Sequence, residues 1–341
     1  MKLAVFSTKQ YTKYFMDEAN KHYKHSITYF EPRLTEETVG LAAGFEAICP
    51  FVNDKLNGQV LDKLADNGTR LIALRSAGFN NVDVERAIDR GMTIARVPAY
   101  SPNSVAEHTI ALIMTLNRKV CRAFTRVREG NFALDGLLGF DVFTKTVGIV
   151  GTGKIGALVA KILLGFGCEV IAHDMNINQE LADMGVQYES MDDLFARSDI
   201  ITLHCPLTRN TYHMINPDTL ARMKDGVMLI NTSRGALIDT SAVIESLKSG
   251  KLGYLGLDVY EEEENLFFED LSNQVIQDDV FARLLWFPNV IVTGHLAFFT
   301  INALRNISET TLENVSCYER RGTCANLVTM DLIRKQPMPV G

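Results

Sequence analysis

TVGIVGTGKIG, residues 146–156, followed by ALVAKILLGFG (157–167) and CEVIAHD (168–174), is the stretch that decides the fold. An apolar run ends at Gly151, a helical pattern opens after Gly153, and a second apolar run closes the segment. A G-x-G-x-x-G alone is weak evidence, but strand, glycine turn, helix and strand in this order form a parallel βαβ unit that binds a dinucleotide. Gly151 permits the tight turn, Gly153 lets the backbone approach a pyrophosphate, and Gly156 lets the helix pack closely on the strand. The helix N-terminus, with Lys154 and Ile155, then faces the phosphates. Asp174 ends the second strand 18 residues after Gly156, where a carboxylate accepts hydrogen bonds from both ribose hydroxyls and repels a 2′-phosphate. The next residues, MNIN, offer no arginine for such a phosphate, so the pattern selects NAD over NADP.

Outward from this unit, the series continues through DIITLHC, VMLIN, LGLDVY and NVIVTG, nearly continuous apolar runs of the kind covered by helices on both faces. Upstream, KLAVFS, SITYFE, EAICPFV, RLIALRS and TIARV alternate with segments of helix length, which is a second α/β pattern with a parallel sheet. Between the two series, Ser104 and Glu107 have capping-box spacing after Pro102 and open a helix expected to run to about Glu129. The last helical stretch, Asn302 to Arg320, has no third sheet to join and is expected to return to the first domain. The expected fold is α/β: two doubly wound, parallel-sheet, Rossmann-like domains with the active site in the cleft between them. Residues 1–100 with 300–335 form a discontinuous, flavodoxin-like substrate domain, and 101–299 form the NAD-binding domain.

The chain has 341 residues, 47% hydrophobic and 22% charged, enough to bury the cores of about two domains. A net charge of −7 and the lack of basic runs interleaved with aromatics argue against nucleic acid as a partner. In MKLAVFSTKQ the apolar run Leu3 to Phe6 is too short for a secretion signal or a membrane span, so a cytoplasmic protein is expected. The six cysteines contain no C-x-x-C pair, which argues for reduced thiols and against a metal site or a disulfide framework. In so acidic a chain an anionic substrate needs a local positive clamp.

Three strand ends supply candidates for chemistry. Arg234 follows VMLIN, with Thr232 and Ser233 at the strand tip; its guanidinium can bind a carboxylate bidentately, although alone it reads equally well as a surface arginine. His295 stands just past NVIVTG, where it can donate the proton that a carbonyl needs as hydride reaches its carbon. A carboxylate beside the ring would stabilise the imidazolium and fix its orientation. Four glutamates, Glu261 to Glu264, follow the third strand, and composition does not choose among them or exclude a merely solvated acidic face.

GTGKIG with its Asp, NTSRG with the following Leu and Asp, D-V-Y-x-x-E and the strand-tip TGH together resemble, in order and spacing, the D-isomer-specific 2-hydroxyacid dehydrogenases. The likeness spans nearly the whole chain. Within that family, MKLAVFSTKQY, IALRSAGFNNVD, RVPAYSP, SVAEHT, LHCPLT and LFFEDLSNQVIQDD resemble the fermentative branch that reduces pyruvate to D-lactate. The resemblance implies Arg234, Glu263 and His295 as the catalytic residues, and it alone selects Glu263, five residues after the Asp of the D-V motif. It further implies Asp258 beside the nicotinamide end of NAD, and Cys205, Pro206, Thr232 and Ser233 as strand tips touching the cofactor. Ala77 and Gly78 are implied as backbone donors to the substrate carboxylate, and Tyr100 and Phe298 as the lining around its methyl group. Many relatives carry proline before the histidine, where this chain has Gly294, a glycine shared by the fermentative members. The family also implies that the helix from Ser104 to about Glu129 makes a subunit contact, giving a homo-oligomer that is at least a dimer, with a tetramer as the larger alternative. Reductases of hydroxypyruvate or glyoxylate and NAD-sensing corepressors of the same family remain alternatives at this level.

Overall fold

The computed structural model describes residues 1–330 and Leu332, with only the backbone of Asn265, so the expected domain end at 335 lies outside the described residues. The chain divides into two compact units, one of Met1–Ser101 with the described residues from Phe299 onward, the other of Pro102–Phe298.

In the first unit, β1 (Lys2–Val5), β2 (Ser26–Tyr29), β3 (Ala47–Cys49), β4 (Leu71–Ala73) and β5 (Thr93–Ala95) form a parallel sheet in the order β2-β1-β3-β4-β5. Period-two alternation feeds two cores. Leu3 and Val5 meet Met16 of helix Gln10–Tyr23 and Leu312 and Val315 of helix Ile301–Arg321, while Ala4 and Phe6 meet Leu61 and Leu64 of helix Gly58–Asp66 on the other face. The order reverses between β1 and β3, and open α/β sheets gather ligands at such a reversal.

The second unit holds β6 (Thr146–Val150), β7 (Glu169–His173), β8 (Gln187–Tyr188), β9 (Ile200–Leu203), β10 (Val227–Asn231), β11 (Leu252–Leu257) and β12 (Val290–Val292). All pair in parallel in the order β12-β11-β10-β9-β6-β7-β8. One face is covered by Leu112, Ile113 and Leu116 with Val159 and Leu163, the other by Leu194, Phe195, Val243, Leu247, Phe281 and Leu284. The two-residue β8 carries a polar Gln187 and left no apolar run to read. The strand expected at LGLDVY begins earlier, at Leu252, and ends at Leu257, so Asp258 to Tyr260 already belong to the loop beyond it.

The long helix differs most from expectation. It begins at Pro102, a residue suited to the first helical position, which puts Ser104 inside the helix and buried rather than at its cap. It ends at Arg118, and Lys119 turns left-handed (φ 51°) before a separate helix, Val120–Arg128. The returning chain fixes the break. The Asn117 side chain accepts from the Phe140 amide (2.8 Å) and donates to its carbonyl (2.7 Å), and Lys119 Nζ donates to the Leu138 carbonyl (2.8 Å). Pro102–Arg118 buries eight residues, whereas Val120–Arg128 buries none.

Candidate active site

The glycine loop leaves β6 at Gly151, which has φ +94° and no room for a side chain: a Cβ there would lie 2.8 Å from the Cys205 nitrogen. At Gly156 a Cβ would lie 1.9 Å from the Gly151 carbonyl oxygen. The third glycine therefore seats helix Lys154–Gly165 on the turn itself, not on the strand as its pattern suggests. Around Gly153 nothing lies within 4 Å of where a Cβ would be, and the helix it precedes has no side-chain cap. Uncapped first-turn amides and an open glycine are what a pyrophosphate requires, so these residues fit NAD.

Asp174 stands at the tip of β7, with Oδ2 accepting from the Thr152 amide (2.6 Å) and hydroxyl (3.2 Å) and Oδ1 from the Asn176 amide (3.0 Å). Burial pushes this carboxyl up, but the donors from Asn176, Thr152 and Met175 together outweigh it and hold it below the usual carboxylate range. An ionised acceptor thus stands beside the glycine loop.

At the tip of β9, His204 donates its amide to the Val150 carbonyl (2.7 Å), and its ring Nε2 is buried without a hydrogen-bond partner among the described residues, although the residue as a whole is only partly buried. Burial pushes its titration from 6.5 down to about 3. The unfolded chain takes up this proton below about pH 6.5 and the folded chain does not, so this contribution to stability is complete above pH 6.5. As the pH falls from there towards 3, stability drops by about 1.4 kcal/mol per pH unit. Urea unfolding at pH 7 and pH 5 checks this: His204→Gln narrows the difference between the two conditions, and an equal difference in both proteins overturns it.

Cys205 and Pro206 come next, and the Cys205 carbonyl accepts from Ser233 Oγ (2.8 Å), joining the β9 and β10 tips. Thr232 shares a hydroxyl contact with Thr109 of helix Pro102–Arg118 (2.9 Å). Asn231, fully buried at the end of β10, accepts from the Ser233 amide (3.0 Å) and donates to the Arg234 carbonyl (2.8 Å), folding the loop so that Arg234 stands beyond the strand. The Arg234 guanidinium donates one bond, to the Ser233 carbonyl (2.6 Å); no described carboxylate pairs with it. Gly235 packs so closely that a Cβ would lie 2.1 Å from the Tyr260 carbonyl carbon, which presses this loop onto the one after β11.

Asp258 is the buried hub of the next two strand tips. Its Oδ1 accepts from Thr293 Oγ1 (2.6 Å) and the Leu296 amide (2.8 Å), its Oδ2 from the Ala297 amide (2.9 Å), and its carbonyl from the His295 amide. His108 Nε2 lies 3.0 Å from Thr293 Oγ1 and 3.5 Å from Asp258 Oδ1. Burial alone would raise the Asp258 carboxyl; His108, Thr293 and Ala297 hold it lower than usual. The hub fixes His295 in a left-handed conformation (φ 57°) directly after Gly294 (φ 66°).

From there His295 Nδ1 meets Glu263 Oε1 at 2.7 Å, while Glu263 Oε2 accepts from the Tyr260 amide (2.9 Å). Nothing among the described residues bonds to His295 Nε2. Of the four glutamates, then, Glu263 faces the histidine, Glu261 instead binds His213 Nε2 and Thr240 Oγ1, and Glu262 and Glu264 are exposed. Phe268 and Phe298 stand beside the imidazole, with ring centroids 5.8 Å and 6.4 Å away.

Ala77, Gly78 and Tyr100 lie in the first unit. The first two come after β4, their carbonyls accepting from Arg96 (2.8 Å) and Ser76 Oγ (2.7 Å), and the Tyr100 carbonyl accepts from Asn306 (2.6 Å). Sequence reasoning missed Asn231, His108, Thr293 and the His213–Glu261 pair. Asn231 in NTSRG, Thr293 in TGH and His108 in SVAEHT lie inside motifs that carry the family resemblance, whereas nothing local pairs His213 with Glu261. All six cysteines are free, no described helix is long and apolar enough to cross a membrane, and no metal-binding cluster gathers among the described residues.

Comparison with known proteins places the chain in a family. Residues 110–297 match the family model of the D-isomer specific 2-hydroxyacid dehydrogenase NAD binding domain. D-lactate dehydrogenase of Escherichia coli is 52% identical over 326 residues, covering 96% of this chain and 99% of that protein. An apo-structure of D-lactate dehydrogenase from Escherichia coli superposes with a TM-score of 0.89 at 48% identity, covering 96% of this chain and 100% of that one. The Aquifex aeolicus D-lactate dehydrogenase complexed with NAD and lactic acid superposes with a TM-score of 0.83 at 36% identity, covering 96% and 98%.

Proposed function

The chain belongs to the D-isomer-specific 2-hydroxyacid dehydrogenases and is an NAD-dependent enzyme, and on that premise we propose that it reduces pyruvate to D-lactate in the cytosol. The observation that carries the reading is the His295–Glu263 pair at 2.7 Å with Nε2 left for a substrate. NADH, when bound, supplies the hydride. Arg234 binds the substrate carboxylate through guanidinium donors not used on Ser233. His295, protonated and steadied by Glu263, gives the Nε2 proton to the substrate oxygen as negative charge develops there. Phe268 and Phe298 keep the ring in apolar surroundings, which strengthens its charge interactions. From the family resemblance we assign to Ala77 and Gly78 amide donation to the substrate carboxylate, and to Tyr100 and Phe298 contact with its methyl group. Steady-state kinetics with NADH and a panel of 2-oxo acids, with product chirality determined, test this: pyruvate is preferred and D-lactate formed. A preference for hydroxypyruvate or glyoxylate overturns the assignment.

Asp174 sets the cofactor. Asp174→Ala removes the ribose acceptor and frees Thr152, so NADH binding weakens by about tenfold or more while NADPH binding changes little, since hydrogen bonds to a charged group contribute about 1.5–3 kcal/mol. Fluorescence titration with both cofactors measures it, and an unaltered NADH to NADPH ratio assigns the choice to another residue.

The assembly we propose is a homo-oligomer, at least a dimer, built on the later part of the segment the sequence suggested, Val120–Arg128, and on the loop that follows it. Pro102–Arg118 is largely buried in its own unit. Val120, Phe124 and Val127 are 52–61% exposed, and Phe132, Leu134 and Leu138 are 74–87% exposed. So dense a set of exposed apolar side chains marks an interaction surface. Light scattering at micromolar concentration gives a mass of at least two chains, and Phe124→Asp lowers it; a monomeric mass for the unaltered protein ends the proposal.

A further inference from the structure

Of the four glutamates on the loop after β11, Glu263 reaches His295. Glu261 is built into the fold in another way. Its Oε1 hydrogen-bonds His213 Nε2 and its Oε2 accepts from Thr240 Oγ1 (3.0 Å). His213 is held from several sides: its amide donates to the Ala236 carbonyl (2.9 Å), its carbonyl accepts from Asn216 (2.9 Å), and the Tyr212 ring stacks on it with centroids 3.9 Å apart and planes 14° from parallel. Its backbone sits at φ 47°, a conformation that a side chain adopts only when surrounding contacts impose it. Ala236 and Thr240 are two and six residues beyond Arg234. One carboxylate therefore ties both segments that follow Arg234 to the loop two residues before Glu263, at the place where Gly235 presses on the Tyr260–Glu261 backbone.

We propose that Glu261, with His213 and Thr240 as its anchors, is a positioning residue that fixes the proton-donating pair relative to the carboxylate-binding arginine. The proposal rests on the reading of Arg234, Glu263 and His295 given above. A substrate with its carboxylate on Arg234 receives a proton only if Nε2 stands at a fixed separation from that arginine, and small misplacements of reacting groups are expensive. The loop carrying Glu263 has its own tie at Tyr260, whose hydroxyl donates to Asp278 (2.7 Å), but that contact leads away from Arg234. Glu261, by contrast, makes a direct side-chain link between the two catalytic loops.

The test compares Glu261→Ala, Glu261→Gln, His213→Ala and the double alanine variant in pyruvate reduction. We expect Glu261→Ala to lower kcat about tenfold and to raise the solvent deuterium isotope effect, because proton transfer becomes the step that suffers. NADH affinity by fluorescence titration stays within about twofold. Glu261→Gln, whose oxygen still accepts from His213 and whose NH2 group can donate to the Thr240 hydroxyl, restores most of the rate. The double variant is no worse than either single one, as for two residues serving one contact. Unchanged kcat and isotope effect in Glu261→Ala, or NADH affinity falling in step with kcat, overturns the proposal. The unaltered enzyme assayed alongside separates the two readings: no pyruvate turnover there overturns the assigned reaction, whereas normal turnover with an indifferent Glu261→Ala overturns only the tie.

Discussion

Glu263→Gln lowers pyruvate reduction by about a hundredfold at neutral pH, within the range that a positioned general acid contributes. The carboxylate serves two donors at once, the Tyr260 amide on Oε2 and His295 Nδ1 on Oε1. A glutamine has one acceptor oxygen. If it turns that oxygen to Tyr260, its NH2 group faces Nδ1 and selects the neutral ring with its proton on Nε2, a far weaker acid than imidazolium. If it turns the oxygen to His295, the Tyr260 amide loses its partner and the loop loosens. Either way the carboxylate that orients the ring as proton donor is gone. D-lactate oxidation suffers as well, because a ring that already carries its proton on Nε2 has no free lone pair there to take the substrate's proton. Glu262→Gln and Glu264→Gln, on exposed side chains, stay within about twofold. A rate of pyruvate reduction unmoved by Glu263→Gln but lowered by Glu262→Gln or Glu264→Gln assigns the partner of His295 elsewhere.

Arg234→Lys raises the Michaelis constant for pyruvate by about thirtyfold or more, despite keeping the charge. The guanidinium spends one N–H on the Ser233 carbonyl, which sets its plane, and has others on the same rigid fork to offer a carboxylate in parallel. An ammonium on a flexible stem either keeps the Ser233 contact or reaches the substrate with a single bond. Losing one charge-assisted hydrogen bond costs about 1.5–3 kcal/mol, which corresponds to roughly tenfold to a hundredfold in affinity. Because the carboxylate is bound in ground and transition states alike, the change falls on KM more than on kcat. NADH titration of the same variant should be nearly unaltered. A pyruvate KM equal to that of the parent removes Arg234 from the carboxylate role.

Much of this site was legible in the chain because each functional side chain closes a strand that announces itself. Val147 to Val150 and Val227 to Ile230 are apolar runs buried between helices, Val290 to Val292 is a half-buried apolar run at the sheet edge, and the residues just past such runs stand at the open end of a parallel sheet. Spacing within the family pattern chose Glu263 from four glutamates, and the fold turns that residue toward His295. The sequence concealed those partners whose separation along the chain bears no fixed relation to their contact. Asp258 gathers amides 38 and 39 residues away, His213 meets a glutamate 48 residues on, and His108 reaches Thr293 across 185. The helix break at Lys119 was hidden for the same reason, since the residues that enforce it, Leu138 and Phe140, arrive from a later segment whose own composition carries no such signal.

The pair of left-handed residues, Gly294 and His295, also limits which changes can be borrowed from relatives. Proline is common before this histidine elsewhere in the family, so a consensus-guided redesign would install it. Its ring confines φ to about −65°, whereas the backbone here stands at +66°. The exchange would swing the imidazole away from Glu263 and pull the amides of Leu296 and Ala297 off Asp258. Neighbouring branches can share their reactive side chains and still be unable to trade the single residue in front of them, because each has committed the peptide chain to a different path.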